Sequence, residues 1–180
     1  TSMIRVLIIA LALIGFSTIA KAQDADLSIL GNLVSEYFKA ASVSDLNLRE
    51  SALSNLFDKQ GTMDAVILRQ GQSSTLTEGT WGEFVEKSQG FYNSYQVEFE
   101  ESEREVEYYL DMANVHCLVF QNSKEKASGS IYYQKLWMQF DVIFKSDRWF
   151  IDHVIWINES DPYPIQNALL QDTIWHQTAE

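Results

Sequence analysis

Few residues of this chain could move a proton or hold an ion in an organised way. They include three histidines, His116, His153 and His176, and one cysteine, Cys117. A base poised near neutral pH is most readily a histidine, so the surroundings of His153 matter first. It lies in KLWMQFDVIFKSDRWFIDHVIWIN, Lys135 to Asn158, which is two apolar runs joined at Lys145-Ser146-Asp147-Arg148. Whether the loop has two residues or four, Phe144 faces Trp149, and strand alternation then sorts the side chains. One face collects Met138, Phe140, Val142 and Phe144 with Trp149, Ile151, His153 and Ile155; the other collects Trp137, Gln139, Asp141 and Ile143 with Phe150, Asp152, Val154 and Trp156. The first reads as the core wall. His153 is then either a general acid or base aimed inward or a core imidazole satisfied by a tyrosine or a carbonyl. On the outer wall the same register makes Asp141 and Asp152 direct neighbours, where like charges repel. They would share a proton, hold a cation, meet a basic residue of another subunit or stay solvated.

The other chemical candidates are weaker. His116 and Cys117 are adjacent, so on a strand they point to opposite faces and form no nucleophile and base pair; His116 is expected outside beside Tyr109, and Cys117 reads as a small buried hydrophobe. No His or Cys spacing fits zinc and no glycine-rich loop fits a nucleotide, so no metal and no cofactor is expected.

The elements that must position these residues change character along the chain. Apolar residues at Leu27, Leu30, Leu33, Val34, Tyr37, Phe38 and Ala41 recur at helical spacing over 24–41, and a second helical stretch runs from Leu48 to Lys59 with Gly61 ending it. Met63 to Leu68 suits a strand or a turn of helix, and Gln70 to Gly79 reads as a polar loop. A third helix starts at Thr80, where Thr80 and Glu83 fit a capping box. The rest is strand-rich: Tyr95 to Leu110 as one bulged strand or two, then Val115 to Phe120, then the long hairpin. If Leu110 faces Val115, the residues Val106, Tyr108 and Leu110 share a second core face with Val115, Cys117 and Val119. Helices first and an antiparallel sheet after is the α+β pattern.

The ends and the charge bound the setting. Arg5, an apolar run of 11 residues from Val6 to Phe16, and Ala20-Lys21-Ala22 form a secretory signal over 1–22, the run being short of the ~20 residues of a membrane span. A domain over 23–160 and a tail over 161–180, which contains both prolines, follow. The 13 basic residues lose Arg5 and Lys21, leaving 11 against 25 acidic ones and a net charge near −14. Secretion or a periplasmic location is expected, with no nucleic acid and no membrane as partner.

Helices, then a meander whose last strand carries Trp149, Ile151 and His153 at alternate positions, resembles the nuclear transport factor 2-like superfamily over about residues 24 to 158, in particular its polyketide-cyclase-like branch. The resemblance implies a cone of helices closed by a curved sheet, a pocket between them and a dimer through the outer sheet face. The branch often carries a second histidine where this chain has Ile155, and an arginine and a threonine near Gln139 and Asp141. Ketosteroid isomerase chemistry needs an inward carboxylate, limonene epoxide hydrolysis an Asp-Arg-Asp cluster, and scytalone dehydration paired histidines. The inner faces supply Tyr108 and His153 but no carboxylate or arginine, unless the helical region contributes Asp58 or Asp64. The expected function is therefore a non-catalytic domain binding a small hydrophobic ligand against Tyr108, Cys117, Met138, Phe140, Trp149 and His153. The alternatives are a lyase or isomerase using His153, Tyr108 and Asp64, or a structural dimerisation domain with a filled cone. Asp141 and Asp152 are the one weak metal candidate. Trp137, Ile143, Phe150 and Trp156 are expected to form a homodimer face or to be covered by the C-terminal tail.

Overall fold

The computed structural model describes residues 27–68 and 73–159. The expected signal segment and the C-terminal tail lie outside them. Helix α1 spans 27–41 and buries Leu30, Val34, Tyr37, Phe38 and Ala41 along one stripe, as its spacing predicts. Helix α2, Leu46–Ser54, starts at Asp45, whose carboxylate accepts the Leu48 N–H at 3.0 Å. Strands β1 (Phe57–Ile67) and β2 (Thr75–Thr80) follow, then helix α3 (Trp81–Ser94) and strands β3 (Tyr95–Tyr109), β4 (Met112–Glu125), β5 (Ile131–Lys145) and β6 (Arg148–Asn158). The Thr80 and Glu83 capping box is formed on both sides, with contacts of 3.3 and 2.9 Å. No helix among the described residues is long and apolar enough to cross a membrane.

The strands make one six-stranded sheet in the order β2-β1-β6-β5-β4-β3. All neighbours are antiparallel except β1 and β6, which run parallel. The helices cover its concave face, and the core lies between them, so the architecture is the expected α+β cone.

Three local expectations change. The second helix stops at Ser54, and Phe57 to Lys59 open β1 instead. Gly61 does not end a helix; it lies in the strand where a Cβ would sit 2.9 Å from the Phe57 ring and 3.2 Å from the Asp152 carbonyl, so only glycine fits that approach. The polar loop before α3 contains β2, an edge strand whose alternation is masked by its threonines. The β3–β4 turn is also tighter than expected: Tyr109 faces Met112 and Leu110 takes φ 53° in the turn. Val106 and Tyr108 still share a face with Val115 and Cys117, because the register moved by an even number of residues.

The β5–β6 hairpin closes on Ser146 and Asp147, both at positive φ as a two-residue turn requires, and Phe144 does face Trp149. Beyond Ile151 the expectation fails. A bulge at Asp152 leaves Val142 opposite Ile151 but Asp141 opposite His153. From there every side chain of β6 is on the opposite wall from the one alternation predicts. Val154 is fully buried against Phe140, Trp156 turns inward opposite Met138, and His153 and Ile155 turn outward. Trp156 thereby leaves the expected dimer face, on which Trp137, Ile143 and Phe150 remain.

Candidate functional site

The cone is not filled. Between the helices and the inner sheet wall lies a cavity of about 570 Å³. Its body is apolar, built from Met63, Phe84, Phe99, Leu136, Met138 and Trp156, and among the described residues no aspartate, glutamate or histidine borders it. The lining residues with polar side-chain groups include Tyr37, Arg49, Ser88, Tyr92, Gln121 and Gln134. A more open hollow of about 350 Å³ shares Phe91, Gln121 and Gln134 with this cavity.

Arg49 is the unusual member. It occupies the buried stripe of α2 with Leu53 and is 1% exposed. Four of its N–H groups find acceptors: Val43 O at 2.7 Å, Ser44 O at 3.4 Å, Val85 O at 3.4 Å and Gln89 Oε1 at 2.7 Å. Its Nε has none. The guanidinium lies 3.7 Å from the centre of the Tyr92 ring, whose hydroxyl donates to Ala41 O at 2.5 Å. Among the described residues no carboxylate lies within 4.0 Å of it. Burial pulls the guanidinium below its ordinary pKa, against the favourable fields of Tyr92 and Asp45. Tyr37, which also borders the cavity, packs its ring on Phe140 at 4.9 Å, and burial, reinforced by Tyr92, pushes its hydroxyl well above the ordinary tyrosine range.

Of the residues expected to bind ligand, only Met138 borders this cavity. Phe140 is consumed by packing under Tyr37 and Phe38, with ring centres at 4.9 and 5.8 Å. Tyr108 and Trp149 pack edge to face at 5.7 Å elsewhere on the wall. Cys117 is fully buried beside a pair that alternation hid. Glu101 and Arg104 both face inward, because a bulge at Ser102 places two residues three apart on one wall. Arg104 is bidentate to Glu101, donates to Gly31 O at 2.6 Å and to Ser35 Oγ at 3.1 Å, and so ties β3 to α1. Inward arginine and carboxylate thus exist, contrary to expectation, but they satisfy each other. Burial, aided by Glu101, pushes the Cys117 thiol up to about 12, so it stays protonated and is no nucleophile at neutral pH.

His153 stands on the outer wall between two carboxylates. Its Nε2 is 3.1 Å from Asp64 Oδ2 and its Nδ1 is 3.2 Å from Asp141 Oδ2, while Gln139 Nε2 donates to Asp141 Oδ1 at 2.7 Å. Ionised carboxylates only accept, so both contacts become hydrogen bonds when both ring nitrogens carry protons, as in imidazolium. That arrangement leaves no free nitrogen for a substrate proton. The ring also separates the two aspartates, so they do not converge on one ion, and no metal-holding group of three occurs among the described residues. The proposed catalytic trio is divided: Asp64 meets His153, while Tyr108 lies on the inner wall. Asp152, taken out of register by the bulge, does not face Asp141, and Asp58 pairs with Lys145 at 2.9 Å, which holds its carboxyl below the usual range. His116 is outside as expected, though opposite Glu105 and tilted on Trp137 at 5.7 Å instead of beside Tyr109.

The expectations took α2 for a plain packing helix and passed over Arg49. The signal was available: a basic residue three after Leu46 and four before Leu53 sits in the apolar stripe.

No family model matches the chain, and no characterised relative matches it by sequence. Solved structures do. A ketosteroid isomerase-like protein from Erwinia carotovora atroseptica aligns with a TM-score of 0.54 at 14% identity, over 75% of this chain and 97% of its own. A protein with a cystatin-like fold from Caulobacter vibrioides aligns at 0.56 and 11% identity, over 76% and 91%. A candidate scytalone dehydratase from Novosphingobium aromaticivorans aligns at 0.61 and 10% identity, over 82% and 93%. The chain therefore has the nuclear transport factor 2-like, cystatin-like fold. At these identities the likeness extends to the fold alone.

Proposed function

We propose that this chain is an exported binding domain whose cone holds a small, largely hydrophobic ligand without transforming it, and which pairs as a homodimer through its outer sheet face. The observation that carries the reading is the cavity: about 570 Å³, mainly apolar, with no carboxylate or imidazole on its wall among the described residues. Such a volume suits a small molecule and argues against a cone filled by its own side chains. The lyase or isomerase alternative needs a base at the substrate, and His153 is outside with both nitrogens engaged. Trp137, Ile143 and Phe150 on the outer wall support the dimer.

Native mass spectrometry of protein purified from its own host tests the binding. A co-purifying molecule released on unfolding is expected. Empty protein that also fails to bind any of a panel of apolar and amphipathic compounds overturns the reading. Light scattering on the same sample reads the dimer, and a monomer removes that part.

A further inference from the structure

Arg49 poses a problem that its neighbours do not solve. A guanidinium taken out of water loses solvation that hydrogen bonds to neutral carbonyls and an amide restore only in part, and a buried charge is ordinarily met by an opposite one. Here the neutral partners are Val43, Ser44, Val85 and Gln89, the Tyr92 ring faces the cation, and Nε has no acceptor. The same side chain borders the cavity. So does Tyr37, whose hydroxyl makes no hydrogen bond among the described residues and is a ready donor. The lining of this mainly apolar cavity thus includes a cation with no carboxylate within 4.0 Å, favoured only by the more distant field of Asp45, and an idle O–H; Tyr92 acts on both, and among the described residues no acidic side chain lines the cavity.

Resting on the reading of the cone as a ligand site, we infer that its ligand is an amphipathic monoanion: a hydrophobic body carrying one carboxylate, with the carboxylate at Arg49 and Tyr37 and the body along Phe84, Leu136, Met138 and Trp156. A carboxylate supplies the missing opposite charge beside the Arg49 guanidinium and an acceptor for the Tyr37 O–H, and charge-assisted bonds of this kind are the strong ones. The chain as a whole carries a formal charge of −12, so long-range attraction does not favour an anion; recognition must come from this local pair. A cavity of about 570 Å³ matches the liquid volume of roughly 19 waters, enough for a medium-length chain or a substituted ring system.

Decanoate and decanol, equal in chain length and different in charge, are the probes, read by quenching of tryptophan fluorescence and by calorimetry. Wild-type protein is expected to bind decanoate about tenfold or more tightly than decanol. Arg49→Met is expected to abolish that preference while keeping decanol affinity, and Tyr37→Phe to reduce it. Equal affinities in the wild type overturn the anion anchor and leave the hydrophobic-ligand reading standing. Binding of neither probe, in protein stripped of endogenous ligand, counts against both. A preference that survives in folded Arg49→Met overturns the role of Arg49. If Arg49→Met does not fold, the wild-type comparison and Tyr37→Phe decide: equal affinities, or no change in Tyr37→Phe, overturn the pair as the anchor.

Discussion

Two bulges, at Ser102 in β3 and Asp152 in β6, do opposite things with the same device. The first brings Glu101 and Arg104 onto the inner wall, where they neutralise each other beneath α1. The second sends His153 to the outer wall, where Asp64 and Asp141 receive it, and hands its inward place to Val154. One extra residue changes the face of everything after it. The comparison teaches that the charged clusters of this fold are placed by strand irregularities, and that the cavity between them owes its apolar wall to the second bulge.

Removing a bulge is the strongest way to break that comparison. Gly61→Val forces out the Asp152 bulge, because even its Cβ would sit 2.9 Å from the Phe57 ring and 3.2 Å from the Asp152 carbonyl; with every residue of β6 retained, simple alternation then drives His153 inward and turns Val154 and Trp156 out. Each expelled side chain forfeits roughly 1.5–3 kcal/mol. With an imidazole buried in exchange, the loss reaches about 5 kcal/mol, the scale of a whole domain's stability. The expected outcome is loss of the cooperative transition in thermal melts followed by circular dichroism. A variant that melts like the wild type would show that the close approach of Gly61 does not hold the bulge.

The inner ion pair gives the next largest effect. Side chains of Glu101 and Arg104 are about one-fifth exposed, at 22% and 21%. Arg104→Ala leaves the carboxylate unmatched and releases the ties to Gly31 and Ser35, for an expected loss of about 3 kcal/mol in denaturant titration. Replacing both charges together, as Glu101→Leu with Arg104→Met, is expected to recover most of it, since two apolar groups leave no orphan charge. Equal losses in the single and double variants would mean the pair acts through its α1 contacts and not through mutual neutralisation.

Much of this arrangement was legible in the residues. The α1 stripe, the capping box at Thr80, the Phe144 to Trp149 register and the cone itself follow from spacing and turn chemistry. The faces of Val106 and Tyr108 survived an even register error. The face of His153 did not survive an odd one, because a bulge needs a partner to be seen: Gly61, where an added Cβ would sit 3.2 Å from the Asp152 carbonyl, comes from a strand 91 residues earlier. The cavity's location was hidden for a related reason. Alternation tells which wall a residue occupies but not how far the helices stand from it, so Phe140 and Met138 looked equivalent although only Met138 borders the space. Arg49 was hidden because a stripe starting at Leu48 puts it on a polar position, whereas Leu48 is 65% exposed and the buried face of α2 carries Arg49 with Leu53.

The outer cluster sets the small end of the scale. Asp64, Asp141 and His153 have side-chain exposures of 24%, 36% and 25%, so water screens their attraction in a way it does not screen a buried charge. Asp64→Asn keeps an acceptor near Nε2 and removes one charge; the expected loss is about 0.5 kcal/mol, with a similar value for Asp141→Asn. Because both carboxylates act on one imidazole, the double variant should depart from the sum of the singles, while either aspartate combined with Arg104→Ala should add simply. The sharpest comparison is therefore a pair of double-mutant cycles. Coupling across the sheet from Asp64 to Arg104, as large as that between Asp64 and Asp141, would mean that the two bulges hold one electrostatic network and not two.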